Sequence, residues 1–353
     1  MSAAGNRSNQ AGERRMIRLE LERHQILGHR RAVGHLDARL PSGEGSLRKA
    51  AWVGLQDSVP RAALLSINAR VERTEPITWE DPSLVQLWGP RFSAYVVAAR
   101  DHAVFSLGRL PDDRRGLERA RSLAARLQGL LGSEPMTYRD AGRALGVPPN
   151  QLRYAATTGT VLMRWEGAGR PTIWTVPAPE IDPEDARREL ARRFLHVLGP
   201  ATAAGFAGWA GVKARRAVAT FEALRESLTP VRVPHGDAWI LARDEPRFRA
   251  AAGPMAAARL LPSGDPHYLC WGADRELLVP DRDHRARLWT SRVWPGALLV
   301  AGEIAGTWRR SQGEVTIEPW RRLSHRERDS IEDEARSLPV PGVNGRIMVR
   351  WGA

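Results

Sequence analysis

The sequence predicts an α+β chain of three tandem winged-helix (helix-turn-helix) modules followed by a C-terminal β-barrel-like domain. Two observations carry this. Three helices followed by an extended run open the chain, and then one order of local signals (helix, glycine-marked turn, helix, two short strands) occurs twice before residue 250 without sequence identity between copies. Beyond about Ala256 the texture changes to short apolar runs separated by Gly, Asp and Pro turns. With 353 residues and 42% apolar content, the chain can fill several small cores. The expected divisions are a disordered arm over 1–14, modules over 15–132, 133–185 and 186–250, and the barrel-like domain over 251–353.

The arm is polar and charged and lacks the apolar centre of a secretory signal. In the first module, Ile17, Leu19, Leu21 and Ile26 predict a helix over 15–27. Ser46 caps a second helix reaching about Gln56, and Pro60 opens a third, with Leu64, Ile67 and Val71 on one face. Asp81-Pro82 begins a short helix ending near Trp88, and an extended run follows over 92–97. The amphipathic stretch 112–131 is a spacer. In the second module, Thr137-Tyr-Arg-Asp140 resembles a capping box. A helix then ends at Leu145-Gly146, another covers 149–158, Gly159 stops it, and strands over 160–165 and 171–176 alternate. The third module repeats the order: helices over 190–198 and 201–209, a turn at Gly211, a helix over 213–225, and strands over 231–233 and 239–241. In the C-terminal domain strands are expected over 277–279, 298–301, 303–308 and 315–318. Ser324-His-Arg-Glu327 caps a closing helix to about Ser337.

Composition narrows the function classes. A formal net charge of +13 calls for a polyanionic partner, and with helix-turn-helix modules that partner is double-stranded DNA. The basic residues are almost all arginine, Lys49 and Lys213 being the exceptions. A G+C-rich coding sequence explains that bias, and so does arginine's bidentate contact with phosphates and guanine edges. The candidate DNA contacts are Asn150, Gln151 and Arg153 in module two and Lys213, Arg215 and Arg216 in module three. Arg61, Arg91, Arg309 and Arg310 join them; the alternative is a solvated polar face. The single cysteine, Cys270, excludes an internal disulfide and a cysteine-based zinc site, and places the chain in a reducing cytoplasm, nucleoid-associated when bound to DNA. The nine histidines show no metal spacing, His196 reading as a core or helix-end residue, and no glycine-rich phosphate loop is present. No metal, cofactor or membrane span is expected, and no zipper-like helix argues against a monomer.

The chemistry rests on Trp52-Val-Gly-Leu-Gln56-Asp57-Ser58-Val-Pro60-Arg61-Ala-Ala-Leu-Leu. This segment resembles the AlkZ-like (YcaQ-like) winged-helix DNA glycosylases, whose pattern is Gly-Leu-Gln-x-Gln-Asp-Pro-Arg-Ala at the same spacing. Leu260-Leu-Pro-Ser-Gly-Asp265-Pro-His resembles the family's Leu-Leu-Pro-x-x-Asp-Pro. Trp294-Pro-Gly-Ala-Leu-Leu-Val-Ala-Gly302 with Gly306-Thr-Trp308-Arg309-Arg310 resembles its closing hairpins, so the likeness extends over nearly the whole chain. It implies a C-shaped DNA cradle, and water-driven excision of alkylated purines without full base flipping, leaving an abasic site. Gln56 falls on the family's first glutamine. Ser58 stands where a second glutamine, or in some relatives an aspartate, belongs; Asp57 occupies a position usually small or apolar, and Val59 replaces the following aspartate.

An N7-alkylated guanine is already cationic, so its departure needs little acid catalysis. The protein has to hold a water near C1′ and favour an oxocarbenium-like sugar, which a glutamine amide and a neighbouring hydroxyl or carboxylate can share. Asp57 can serve as base or electrostatic partner, provided the helix has ended by there, since helical neighbours point about 100° apart. The structural alternatives are Ser58 as a cap near Pro60, Asp57 as a favourable charge on the next helix dipole, and Gln56 as an exposed helix-end amide. Lys49, seven residues before Gln56, is the amine a lyase would need. The expected function is a monofunctional glycosylase for bulky N7-alkylguanine adducts, in repair or in self-resistance to a DNA-alkylating antibiotic. The rival is a non-catalytic winged-helix DNA-binding protein, either a lesion binder or a transcription regulator.

Overall fold

The computed structural model describes residues 19–132, 134–167, 169, 171–250, 253, 255, 257–343 and 346–352. The expected arm over 1–14 and the first residues of the expected first helix lie outside the described residues. Over the described residues the chain is a mixed α+β structure with three sheets.

The first helix is Arg23–Val33, later than expected, closed at its start by reciprocal bonds between Glu22 and Gln25. Ahead of it Leu19–Glu20 is a strand, pairing in parallel with Leu228–Val233, which pairs antiparallel with Gly236–Leu241. The second helix, Glu44–Ala50, stops short of Gln56. Ala51 closes it; after a turn, Gly54 has φ +75° and a Cβ there would lie 2.9 Å from the Phe105 ring, so only glycine lets the chain pass. Leu55–Gln56 is therefore a strand. The helix expected from Pro60 is Ala62–Asn68, entered through a left-handed Arg61. The helix expected over 81–88 is instead the strand Leu84–Trp88, antiparallel to Ala94–Ala98, with a 3-10 turn at Pro76–Glu80 just before it.

The spacer is the helix Arg114–Leu131. Thr137 caps Tyr138–Ala144 by accepting from Asp140 N; a 3-10 helix, Pro149–Thr158, ends at Gly159 with φ +78°, and Val161–Arg164 pairs with Thr172–Thr175. Pro183–Leu198, longer than expected, Ala203–Ala210 and Ala214–Ala223 follow, with Gly211 left-handed between the last two. One six-stranded sheet runs through the expected division at 132/133. Its order is Leu55–Gln56, Ala94–Ala98, Leu84–Trp88, Val161–Arg164, Thr172–Thr175, Met136–Thr137, with Gln86 opposite Met163 at the join.

The C-terminal strands Arg259–Leu261, Gly296–Val300, Glu303–Ser311, Glu314–Pro319 and Met348–Trp351 form one sheet in that order. Its last pair is parallel, and the two end strands have one neighbour each, so the sheet is open and the expected barrel does not close. Helix His325–Arg336 covers it instead, Ile331 and Ala335 packing with Leu260, Leu298 and Ile317. Ala301 and Gly302, at φ +52° and +86°, make the hairpin turn. The strand expected over 277–279 is the end of helix Ala273–Leu278: three apolar residues fit either element.

A seam of guanidinium groups fastens the helix Ala62–Asn68 to this C-terminal part. Arg70 makes two bonds, 2.7 and 2.8 Å, to the fully buried Asp265, and a third to Ser66 O. Arg39 donates to Asn68 O and to both carboxylate oxygens of Glu334, and Arg259 donates to Ala69 O. The carbonyls a helix leaves unpaired at its C-terminus are thus met by cations, which the dipole also favours.

Arg70→Met leaves the Asp265 carboxylate buried without its partner. Urea unfolding is expected to show a loss of about 3–5 kcal/mol, and Arg70→Met with Asp265→Leu should cost less than the two single losses added. Strict additivity would mean the pair is not coupled.

Candidate active site

Gln56 ends the strand Leu55–Gln56, Asp57 follows with its N bonded to Ala94 O, and Ser58 lies in the bend beyond; in extended chain successive side chains point to opposite faces. Gln56 pairs with Tyr95 in the sheet, and its side chain lies under Gly264. At φ +81°, Gly264 passes so close that a Cβ there would sit 3.3 Å from Gln56 Cβ and Cδ. Gln56 Nε2 donates to Ser58 Oγ at 2.9 Å, and Ser58 is exposed. Gln56 Oε1 is buried with no hydrogen-bond partner among the described residues. The amide therefore has one end fixed on a hydroxyl and the other with its acceptor free.

Asp57 faces the opposite way. Its side chain is fully buried, Oδ1 accepting from Ala63 N at 3.0 Å and Oδ2 from Gln86 Nε2 at 2.8 Å. It does the work of a cap for the helix Ala62–Asn68, so Ser58 does not. Burial pushes its carboxyl up to about 7, opposed by the bond from Ala63 N, the charge of Arg61 and the bond from Gln86. Gln86 Oε1 in turn accepts from Trp165 N, which joins the motif to the hairpin of the second helical unit. The same hairpin touches the motif at Pro60, whose Cβ lies 2.7 Å from where a Cβ on Gly167 would stand. Arg61 is stacked at 4.3 Å on Trp79 and points Nη1 at Trp165 O. Lys49 lines a separate cleft of about 1090 Å³ whose walls, among them Arg100 and Arg247, do not include Gln56.

The candidate DNA contacts have different fates. Asn150 accepts from the Tyr138 hydroxyl, and Gln151 is exposed. Arg153 lies over Phe92 and Tyr154 at 5.5 and 5.9 Å. On the third unit, Lys213 pairs with Asp113 at 2.9 Å, Arg215 with Asp112 at 2.8 Å, and Arg216 with Asp112 and Glu184, both at 3.1 Å. The acidic start of the spacer neutralises that face. Arg91 turns toward a small cavity, 3.9 Å over the Trp271 ring. Arg309 and Arg310 are exposed at the end of Glu303–Ser311, paired through their backbones with Thr316 and Val315, and no ion pair or hydrogen bond engages either side chain among the described residues. No group of three or more His, Cys, Asp or Glu placed to hold a metal is found among those residues, and no helix of them is long and apolar enough to cross a membrane.

Gln86 and Arg70 were not singled out in the sequence. Gln86 sits in a stretch read as helix, and nothing local ties it to Asp57. Gly264 and Asp265 were inside a noted motif, and only the fold gives their role.

A family profile described as DNA glycosylase AlkZ-like matches residues 50–339. No curated protein matches the sequence. Among solved structures, Streptomyces sahachiroi DNA glycosylase AlkZ is similar, with a TM-score of 0.76 and 18% identity over 95% of this chain and 100% of that chain. At that identity the likeness is one of fold.

Asp57 binds its proton more tightly folded than an unfolded aspartate does, so its contribution to stability is full below the unfolded carboxylate range and is lost as pH rises through about 7. Between pH 4 and 7.5 the urea midpoint of the wild type should fall relative to that of Asp57→Asn. Parallel pH profiles for the two proteins would refute the perturbed carboxyl.

Proposed function

The chain belongs to the AlkZ-like DNA glycosylase family, and from that premise we propose that it is a monofunctional glycosylase acting on bulky N7-alkylguanine or related alkylpurine adducts in duplex DNA, in repair or in self-resistance to a DNA-alkylating antibiotic. The observation that carries this is the Gln56–Ser58 pair with its unpartnered Oε1. In this reading the three units of paired helices and hairpin act as winged helices along a C-shaped cradle.

A cationic alkylguanine leaves with the electrons of its C1′–N9 bond and becomes neutral, so the base needs no proton from the protein. Gln56 Oε1 accepts a hydrogen bond from the attacking water, and Ser58 Oγ, already accepting from Gln56 Nε2, directs its own hydrogen toward that water or the sugar. The C1′–O bond forms and the surplus proton passes to solvent. Asp57 positions rather than touches: it fixes the strand's exit and the helix behind it. The absence of an exposed carboxylate in the motif favours the second reading, a lesion binder without turnover, and one experiment separates the two.

Single-turnover excision from a duplex with one N7-alkylguanine, read as alkali-cleavable abasic sites, is expected to fall about 10²–10³-fold in Gln56→Ala and less in Ser58→Ala. Tight binding without product from both small and bulky adducts would leave only the lesion binder. In a salt titration of duplex binding, Arg309→Ala and Arg310→Ala should each lower the log–log slope by about 1 if each meets a phosphate. Arg215→Ala, already paired with Asp112, should change it little; the reverse ranking would put the DNA on the third unit's helix.

A further inference from the structure

A cavity of about 210 Å³ lies where the turn after Leu84–Trp88, the helix Ala203–Ala210 and the segment 266–274 meet. Its walls are mostly apolar and aromatic, with Phe194, Trp209, Leu269 and Trp271, and the charged or titratable side chains of Arg30, Asp274, Arg91 and His267 also line it. The turn that delivers Arg91 is strained: Arg91 and Phe92 both have left-handed backbones, at φ +54° and +59°, which side-chain-bearing residues adopt only where surrounding contacts impose it. Here the guanidinium over Trp271 and the close approach of Gly211, whose Cβ would stand 3.2 Å from Arg91 N, hold it in place.

The charges of the cavity do not balance. Arg30 and Asp274 cancel across 2.8 Å. Burial lowers His267 to about 3, so its ring is neutral near pH 7. Among the described residues Arg91 has no carboxylate against it; Nη1 is buried without an acceptor, and His267 Nδ1 is buried without a partner. Burial also lowers the Arg91 guanidinium from its usual range. A buried donor left unmade is costly, and an oxygen placed in the cavity would satisfy it. Pockets of apolar lining with a few convergent polar groups are the usual form of a small-molecule site.

We propose that this cavity binds a planar aromatic group bearing a carboxylate or carbonyl oxygen, its ring among Phe194, Trp209 and Leu269 and its oxygen on Arg91 Nη1 and His267 Nδ1. Two sources share that chemistry: the substituent of a DNA adduct, or a free aromatic acid. The first is within the reach of one loop, because Gly264 lies on Gln56 while Pro266 and His267 line the cavity. That source alone rests on the proposed glycosylase reading; binding of the group itself does not.

The test is calorimetric titration of the full chain with indole-3-carboxylate, with indole as the probe lacking the oxygen. The acid is expected to saturate one site, with indole at least tenfold weaker and Arg91→Met weakening the acid at least tenfold. Gly208 lines the cavity and has nothing within 4 Å of an added Cβ. Gly208→Leu should therefore fill the space, keep the melting temperature, since leucine suits a helix better than glycine, and abolish binding. No saturable binding to the wild type, or an unchanged Kd in Gly208→Leu, overturns the proposal. Excision from duplexes carrying a methyl or an aromatic acyl adduct then identifies the source. Slowing of the acyl adduct alone by Gly208→Leu assigns the cavity to the substrate, and unchanged rates with lost acid binding assign it to a free acid. No excision by the wild type would refute the glycosylase reading and leave the titration standing.

Discussion

Guanidinium groups ending on backbone carbonyls hold the parts of this protein in register. Arg70 and its neighbours Arg39 and Arg259 close the end of the helix behind the Gln56 strand and tie it to Asp265 and Glu334. Arg109, fully buried, reaches Ala210 O and Trp88 O, and so joins the third helical unit to the central sheet; burial lowers it to about 10, which still leaves it charged at neutral pH. Arg187 bonds Gly108 O and Leu110 O, and Arg30 bonds Gly199 O. Each bridges segments distant in sequence with a planar fork that can serve two acceptors at once. Much of the positive charge is therefore internal scaffolding, and the polyanion-facing share of the net charge is smaller than the formula implies.

The same economy shapes the candidate site. The chain leaving the strand sorts three consecutive polar residues, so that Gln56, half-buried under Gly264, meets the exposed Ser58 while Asp57 turns inward. The inward carboxylate caps a helix and, through Gln86, feels the hairpin around Trp165. The geometry of the exposed pair is thus set from behind by groups that never meet a substrate.

The second and third helical units were legible because their punctuation is local. Gly159 and Gly211 must be left-handed, and Thr137 answers to Asp140 three residues on. The region 55–98 was not. Leu84–Trp88 follows Asp81-Pro82, a strong helix-start signal, yet its fate is decided by Ala94–Ala98 and by Met163 far along the chain. With Gln86, Leu87 and Trp88 successively buried, it shows no alternation that would mark a strand. Gln56 stood out by its motif. The cover of Gly264 over it comes from a segment far along the chain, and the pairing of Arg215 with Asp112 is likewise 103 residues apart in sequence.

The arginine seam also bears on how the chain can drift. A coding bias first favours arginine everywhere, exposed or not, and at an exposed site the choice is easily reversed. At positions 30, 39, 70, 109, 187 and 259 it is not, because an ammonium cannot span the two acceptors that the guanidinium holds apart, and lysine there would strand a carbonyl or a carboxylate in the interior. If the mutational pressure on the genome relaxed, lysine would return to the surface first and to the seam last. At those six positions arginine is a constraint that the fold enforces, whatever its source elsewhere on the chain.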